Sequence, residues 1–275
     1  MTTQTFHLDD WLTEFSRHIK ARQPYREPTP EEAAAFIGGL WALIRGDTES
    51  PVMAELGFTT HVAVDTKTNR PFTLVYNEYG TERAWGAYVI DTTFTAAPRP
   101  IRGLVEAPHI VFDTYSEKLA LEIWRAYPGI LLLISGTHRT DVSFTNPRDV
   151  AHQPGSLFHQ VAMAFTKRGI PQFQQHGFSD ETDPEHDIII SSGDAKNSEA
   201  IKRLADALEA AGFRIARNWD NTATIMKGMD NVQGAAAEAD GTAFAHVEVS
   251  KTVRVSEELR ARYLQAVAAA HFFTA

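Results

Sequence analysis

The sequence predicts a mixed α/β fold: a largely parallel central sheet flanked by helices, phosphorylase/hydrolase-like, with an N-terminal elaboration of helices and β-hairpins. Three observations carry this. From residue 101 onward, β-rich apolar runs alternate with segments of helical periodicity, as in a parallel or mixed sheet with crossover helices. Residues 58–91 instead hold three β-rich stretches joined by short turn-forming segments, which reads as antiparallel pairing. A chain of 275 residues, 43% of them hydrophobic, can bury one large core.

The elements follow in order. Leu8, Trp11, Leu12, Phe15 and Ile19 recur at helical spacing, which predicts a helix over 8–22. The stretch from Gln23 to Pro30 breaks it. Thr29-Pro-Glu-Glu is an N-cap, an N1 proline and early acids, and it opens a second helix carrying Phe36, Leu40, Trp41 and Ile44. Strands are predicted over 58–66, 72–79 and 84–91, with turns at Lys67-Thr-Asn-Arg and Tyr79-Gly-Thr-Glu. Beyond these lie predicted strands at 101–107, 129–135, 171–176, 186–191, 221–226 and 243–250. The intervening helices are expected over 114–127, 155–168, 197–212 and 256–271. Gly212 stops one helix, and Ser256 with Glu257 and Glu258 starts another. Residues 1–95 are expected to pack as an elaboration on a core formed by 96–275.

Composition narrows the chemistry. The chain has no cysteine, which excludes disulfides, thiol catalysis, iron–sulfur clusters and cysteine-bound zinc. Imidazole and carboxylate remain as metal ligands. A net charge of −9 argues against nucleic acid and anionic membrane surfaces as partners. It is compatible with a small anionic substrate, because a few local arginines override the mean field. The N-terminal residues lack a basic region followed by an apolar core, and no apolar run reaches the roughly 20 residues of a membrane helix. A cytoplasmic protein is expected, with homo-oligomerisation left open.

The residues able to do chemistry sit at predicted strand ends. His109 follows the strand 101–107 and Pro108, and Gln174-Gln-His176-Gly177 repeats this arrangement. Two histidines, one carboxylate and an open position for water make a common catalytic zinc site. Asp113 and Glu117 compete for the acidic position. Thr114-Tyr-Ser-Glu117 fits a capping box, which gives Glu117 a structural task and favours Asp113. Gly136-Thr-His138-Arg139 ends the strand 129–135 and suits an anion or oxyanion site, with His138 as a further substrate contact. Asn146-Pro-Arg148-Asp149 adds an amide, a second guanidinium and an acidic partner for it. His152 and His159 are open between metal binding, orienting a neighbour and helix capping.

Phe244, His246, Glu248 and Ser250 share one strand face, opposite Ala245, Val247 and Val249. Glu248 is suited to accept a proton from an activated water, with His246 contacting substrate; a solvated polar face on an edge strand is the simpler alternative. There is no Gly-x-Ser-x-Gly elbow, P-loop, His-Glu-x-x-His or dinucleotide fingerprint.

The order of these residues resembles the zinc-carboxypeptidase-like superfamily, in its N-formylglutamate amidohydrolase and poly-γ-glutamate hydrolase branches. The matching run is His109, Asp113, Arg139, Asn146 with Arg148, His176 and Glu248, and it covers roughly residues 100–270. The resemblance implies one zinc ion held by His109, Asp113 and His176, with Glu248 as proton acceptor. It further implies that Arg139 stabilises the oxyanion and that Asn146 with Arg148 hold a substrate carboxylate. Two departures point away from a true carboxypeptidase: the spacing from His109 to Asp113 is longer than His-x-x-Glu, and no tyrosine lies between His176 and Glu248. The implied reaction is amide hydrolysis on a small anionic N-acyl amino acid or γ-linked peptide. Two rivals stand beside it: a non-haem iron oxygenase built on His246-x-Glu248, and a metal-free binding protein of the same fold.

Overall fold

A computed structural model describes residues 5–48, 50–98, 100–140, 146–193 and 198–273. The elements run β1 (Thr5–Phe6), α1 (Leu8–His18), α2 (Pro30–Ile44), α3 (Pro51–Glu55), β2 (Phe58–Asp65), β3 (Pro71–Asn77) and β4 (Ala87–Asp91). They continue with β5 (Gly103–Ala107), α4 (Ser116–Ala126), β6 (Ile130–Ile134), α5 (Leu157–Thr166), β7 (Gln172–Phe178) and β8 (Ile188–Ser191). The chain ends with α6 (Glu199–Ala210), β9 (Ile215–Arg217), α7 (Val232–Ala239), β10 (Phe244–Ser250), α8 (Lys251–Val255) and α9 (Glu257–Ala269).

All described strands join one mixed sheet in the order β1-β2-β3-β4-β6-β5-β7-β10-β8-β9. The four central strands β6, β5, β7 and β10 are parallel, so their carboxyl ends fall on the same edge. The antiparallel meander β2-β3-β4 continues the sheet on one side by pairing β4 with β6. Helices cover both faces. Leu119 and Trp124 of α4, Leu204 of α6 and Val267 of α9 pack with Val105, Leu132 and Val247. Phe36 and Leu40 of α2 and Phe158 and Val161 of α5 pack with Leu104, Leu131 and Leu133. Strand alternation decides which side chain joins which layer.

The structure corrects the sequence reading at two places. Residues 221–226 are not a strand; the last edge strand is the earlier β9, and 218–231 is a loop that leads into α7. Asn221 and Met226 take left-handed backbone there, with φ of 64° and 51°, which breaks extended pairing. The helix α7 has no amphipathic stripe in the alanine-rich Val232–Ala239; Asn231 starts it by accepting hydrogen bonds from the backbone of Gln233 and Gly234. The capping box at Thr114–Glu117 does not form either. Tyr115 precedes α4 with φ of 70° and no side-chain cap. By contrast, Thr29 and Glu32 do form a reciprocal capping box at α2. The first residue of the helix predicted from 197 lies outside the described residues.

Candidate metal centre

At the carboxyl ends of β5, β7 and β10 the apolar layer gives way to polar side chains. Register pairs Glu106 with Gln174, Gln174 with His246, and His176 with Glu248, so these five project from one face. His109 enters just after β5. The turn after it closes with the Asp113 N–H donating to the His109 carbonyl at 2.8 Å, which returns the carboxylate beside the imidazole. Val111, at φ 68°, sits in left-handed backbone inside this turn. A β-branched residue there is strained, and such strain gathers at functional sites.

The three donors converge. His109 Nδ1 and His176 Nδ1 lie 3.0 Å apart, and Asp113 Oδ2 lies 3.4 Å from each. Tetrahedral zinc with bonds near 2.0–2.1 Å sets its donors about 3.3 Å apart, so the spacing fits the ion. The far nitrogens fix the tautomers. His109 Nε2 donates to Asp149 Oδ1 at 2.8 Å, and His176 Nε2 donates to Gln174 Oε1 at 2.7 Å. Gln174 is itself oriented by donating to the buried Glu106 at 2.8 Å and by accepting from Asn231. With both protons on Nε2, the two Nδ1 lone pairs face each other. A proton or a cation between them makes that favourable, with Asp113 balancing the charge; with neither, Arg139 Nη1, 3.2 Å from His109 Nδ1, is the donor at hand. The donor set of two imidazoles and a carboxylate suits zinc, and its outer hydrogen bonds are those that orient metal-bound histidines.

Electrostatics agree. Burial pushes the His109 imidazole down, but Asp113 and Asp149 outweigh it and raise it to about 9. His176 is pushed down to about 4, chiefly by burial. Burial would raise Asp113, yet the two histidines hold it well below the usual carboxylate range. The pocket therefore favours positive charge at its centre. Glu248 lies beside it: one of its oxygens, a nitrogen of His176 and a nitrogen of His246 all fall within 4.8 Å of one another. Burial, with Asp113 adding, pushes Glu248 up to about 8, near the value that suits a proton acceptor at neutral pH. Burial likewise drives His246 well below its ordinary value. Gly228, at φ 62°, lets the 218–231 loop lie against the His246 ring; a Cβ there would sit 2.8 Å from Cδ2.

Arg139 reaches the same centre. Its Nη1 is 3.2 Å from His109 Nδ1, its Nε is 3.0 Å from Asp149 Oδ2, and its guanidinium lies 5.4 Å from the Phe112 ring centroid. A cation at the centre requires Nη1 to draw back, and the ties to Asp149 and Phe112 keep the side chain at the rim. His109, Arg139, His152, His176, His246 and Glu248 all line one cavity of about 580 Å³.

Other residues singled out in the sequence have different surroundings. Arg148 donates through Nε and Nη2 to the Gln23 carbonyl at 3.3 and 3.1 Å and does not line the cavity. Asn146 donates to the Arg139 carbonyl and to Thr140 Oγ1, and accepts from the Arg148 backbone. Both therefore brace the segment that carries Arg139. His138 Nδ1 accepts from the Thr140 backbone at 2.9 Å. Glu117 is buried with Oε2 unpartnered, and it lines a separate cavity with Val111 and Tyr115. His152 approaches Asp149 Oδ2 at 3.0 Å, and His159 is buried near Gln233. Sequence reasoning missed the links from Asp149 to His109 and from Glu106 through Gln174 to His176. The one available signal was Gln174, two residues before His176 on the same strand face.

No family model and no curated protein sequence matches the chain. Among solved structures it is similar to an N-formylglutamate amidohydrolase from Ralstonia eutropha JMP134, at 11% identity and a TM-score of 0.41, over 62% of this chain and 91% of that one. It is also similar to a putative carboxypeptidase A from Shewanella denitrificans OS-217, at 12% identity and a TM-score of 0.43, over 82% and 67%. A third is a putative metallopeptidase from Shewanella baltica OS155, at 11% identity and a TM-score of 0.38, over 85% and 90%. Amidohydrolase and carboxypeptidase are the kinds of protein that the ordered residues resemble.

Proposed function

We propose that the chain is a metal-dependent hydrolase that cleaves an amide bond in a small anionic N-acyl amino acid or γ-linked peptide. The observation that carries this is the convergence of His109 Nδ1, His176 Nδ1 and Asp113 Oδ2, which lie 3.0–3.4 Å from one another. His109, Asp113 and His176 would hold one zinc ion. Bound there, the ion supplies Lewis acidity, which polarises a carbonyl and makes water a nucleophile near neutral pH. Glu248 takes a proton from the water as its oxygen joins the carbonyl carbon. The same carboxyl then gives that proton to the nitrogen as the C–N bond breaks, which yields a carboxylic acid and an amine. Arg139 stabilises the oxyanion that forms between these steps. Asp149 and Gln174 keep the two imidazoles in the tautomer that leaves Nδ1 free. Asn146 and Arg148 support the segment bearing Arg139.

A second reading has one observation in its favour. His176, His246 and Glu248 form a two-histidine, one-carboxylate group of the type used by non-haem iron oxygenases. Its His246–Glu248 separation is 3.8 Å, looser than the 3.0–3.4 Å of the first group. Glu248→Gln separates the two. The hydrolase reading expects the variant to keep its metal and lose about 10²–10⁴-fold in hydrolysis of N-acyl amino acids. Loss of the metal from this variant would shift the assignment to the second group.

A further inference from the structure

Resting on the hydrolase reading, we infer that the substrate is a monoanion with an aliphatic or thioether side chain, recognised by the loop segment 224–229. The cavity that holds the candidate metal centre is walled in part by this segment. Among the described residues, six large hydrophobic side chains stand exposed, and two of them line this cavity. Ile225 and Met229, 39% and 48% exposed, line the cavity. Phe112, 42% exposed, lies against the guanidinium of Arg139, which also lines the cavity. Apolar groups held at the mouth of a site await an apolar ligand more readily than water.

The segment is anchored and not a stray loop. Met226 packs on a small buried cluster of Phe178, Ile189, Ala216 and Ala223. The Lys227 carbonyl accepts from Ser191 Oγ, and Asn231 ties the end of the loop to Gln174. Methionine side chains adapt to ligands of varied shape, which suits several aliphatic substrates. The charges facing the cavity set the other half of the selection. Apart from the candidate metal ligands, they are Arg139, Lys227, Asp230 and Glu248. The two cations serve one substrate carboxylate and the oxyanion. Asp230, directly after this segment, repels a second carboxylate carried on the side chain. A cavity of about 580 Å³ accommodates an acylated amino acid of this size.

The test compares N-acetyl-L-methionine, N-acetyl-L-leucine, N-acetyl-L-alanine and N-acetyl-L-glutamate with the zinc-loaded protein. Hydrolysis is followed as kcat/KM, and binding is measured by calorimetry on Glu248→Gln. Methionine and leucine compounds are expected to exceed alanine and glutamate compounds by at least about 10-fold in both readouts. Met229→Asp and Ile225→Ser, both at exposed positions, should bring the methionine-to-alanine ratio towards one. A preference for glutamate, or ratios untouched in both variants, overturns the inference and leaves the hydrolase reading standing. Selective binding of the methionine compound without hydrolysis of any of the four supports recognition by this segment and counts against hydrolysis of N-acyl amino acids. Failure to bind any of the four overturns the inference and leaves the hydrolase reading to be decided on γ-linked peptides.

Discussion

Asp149→Asn changes almost no volume, yet it attacks the tautomer on which the centre depends. Asp149 Oδ1 lies 2.8 Å from His109 Nε2, while Oδ2 lies 3.0 Å from both Arg139 Nε and His152 Nδ1. A carboxylate accepts on both sides; an amide has a single oxygen. If that oxygen faces His109, the amide nitrogen meets the Arg139 donor. If the amide turns over, its N–H points at His109 Nε2, and the imidazole proton moves to Nδ1, the atom that would bind the ion. Loss of such an outer partner costs about 10–100-fold in metal affinity. That is about 1.4–2.7 kcal/mol, with the turned amide at the upper end. The assay is a zinc dissociation constant from competition with a chromophoric chelator, with circular dichroism to check that the variant folds. A folded variant binding zinc within about threefold of the parent protein would refute the account of how His109 is held.

Two further outcomes concern stability. Burial on α5 pushes the His159 imidazole down from 6.5 to about 4. Between those values the unfolded chain binds more protons than the folded one, so stability falls as pH drops through this window and is fully regained above it. At pH 4.5 the penalty is about 2.5 kcal/mol relative to neutral pH. Urea unfolding at pH 7.5 and 4.5 should show His159→Gln escaping most of it, and equal losses in both proteins would contradict the assignment. Gly136→Ala should destabilise by about 1–3 kcal/mol, because its Cβ would press on the backbone of Gly86 and Ala84. Thermal melting reads this directly, and a melt unchanged from the parent would show that the crossing is slack.

The parts of this molecule that local pattern controls were legible in its sequence. His109 and His176 stand out as strand-end histidines, and period-two alternation put His246 and Glu248 on one face opposite Val247 and Val249. What escaped was tertiary. Nothing local to Asp149 tells that it meets a histidine forty residues earlier, and Glu106 in Gly-Leu-Val-Glu-Ala reads as an ordinary strand position. Only the parallel register of β5 with β7 puts Glu106 beside Gln174. The 221–226 segment is β-rich in composition, but left-handed residues at both ends turn it into the cavity wall. The capping-box pattern at Thr114 failed because the turn that returns Asp113 to His109 leaves Tyr115 in left-handed backbone just before α4.

Everything proposed for this site depends on whether His109, Asp113 and His176 hold an ion. The direct test is zinc stoichiometry, with X-ray absorption at the zinc edge, on the parent protein, Asp113→Ala, Glu117→Ala and Glu248→Gln. The parent is expected to hold one zinc per chain, with a shell of nitrogen and oxygen near 2.0–2.1 Å that includes two imidazoles. Zinc should be kept in Glu117→Ala and Glu248→Gln and lost from Asp113→Ala. A parent protein that binds no zinc, or zinc kept by Asp113→Ala and lost from Glu248→Gln, would contradict it.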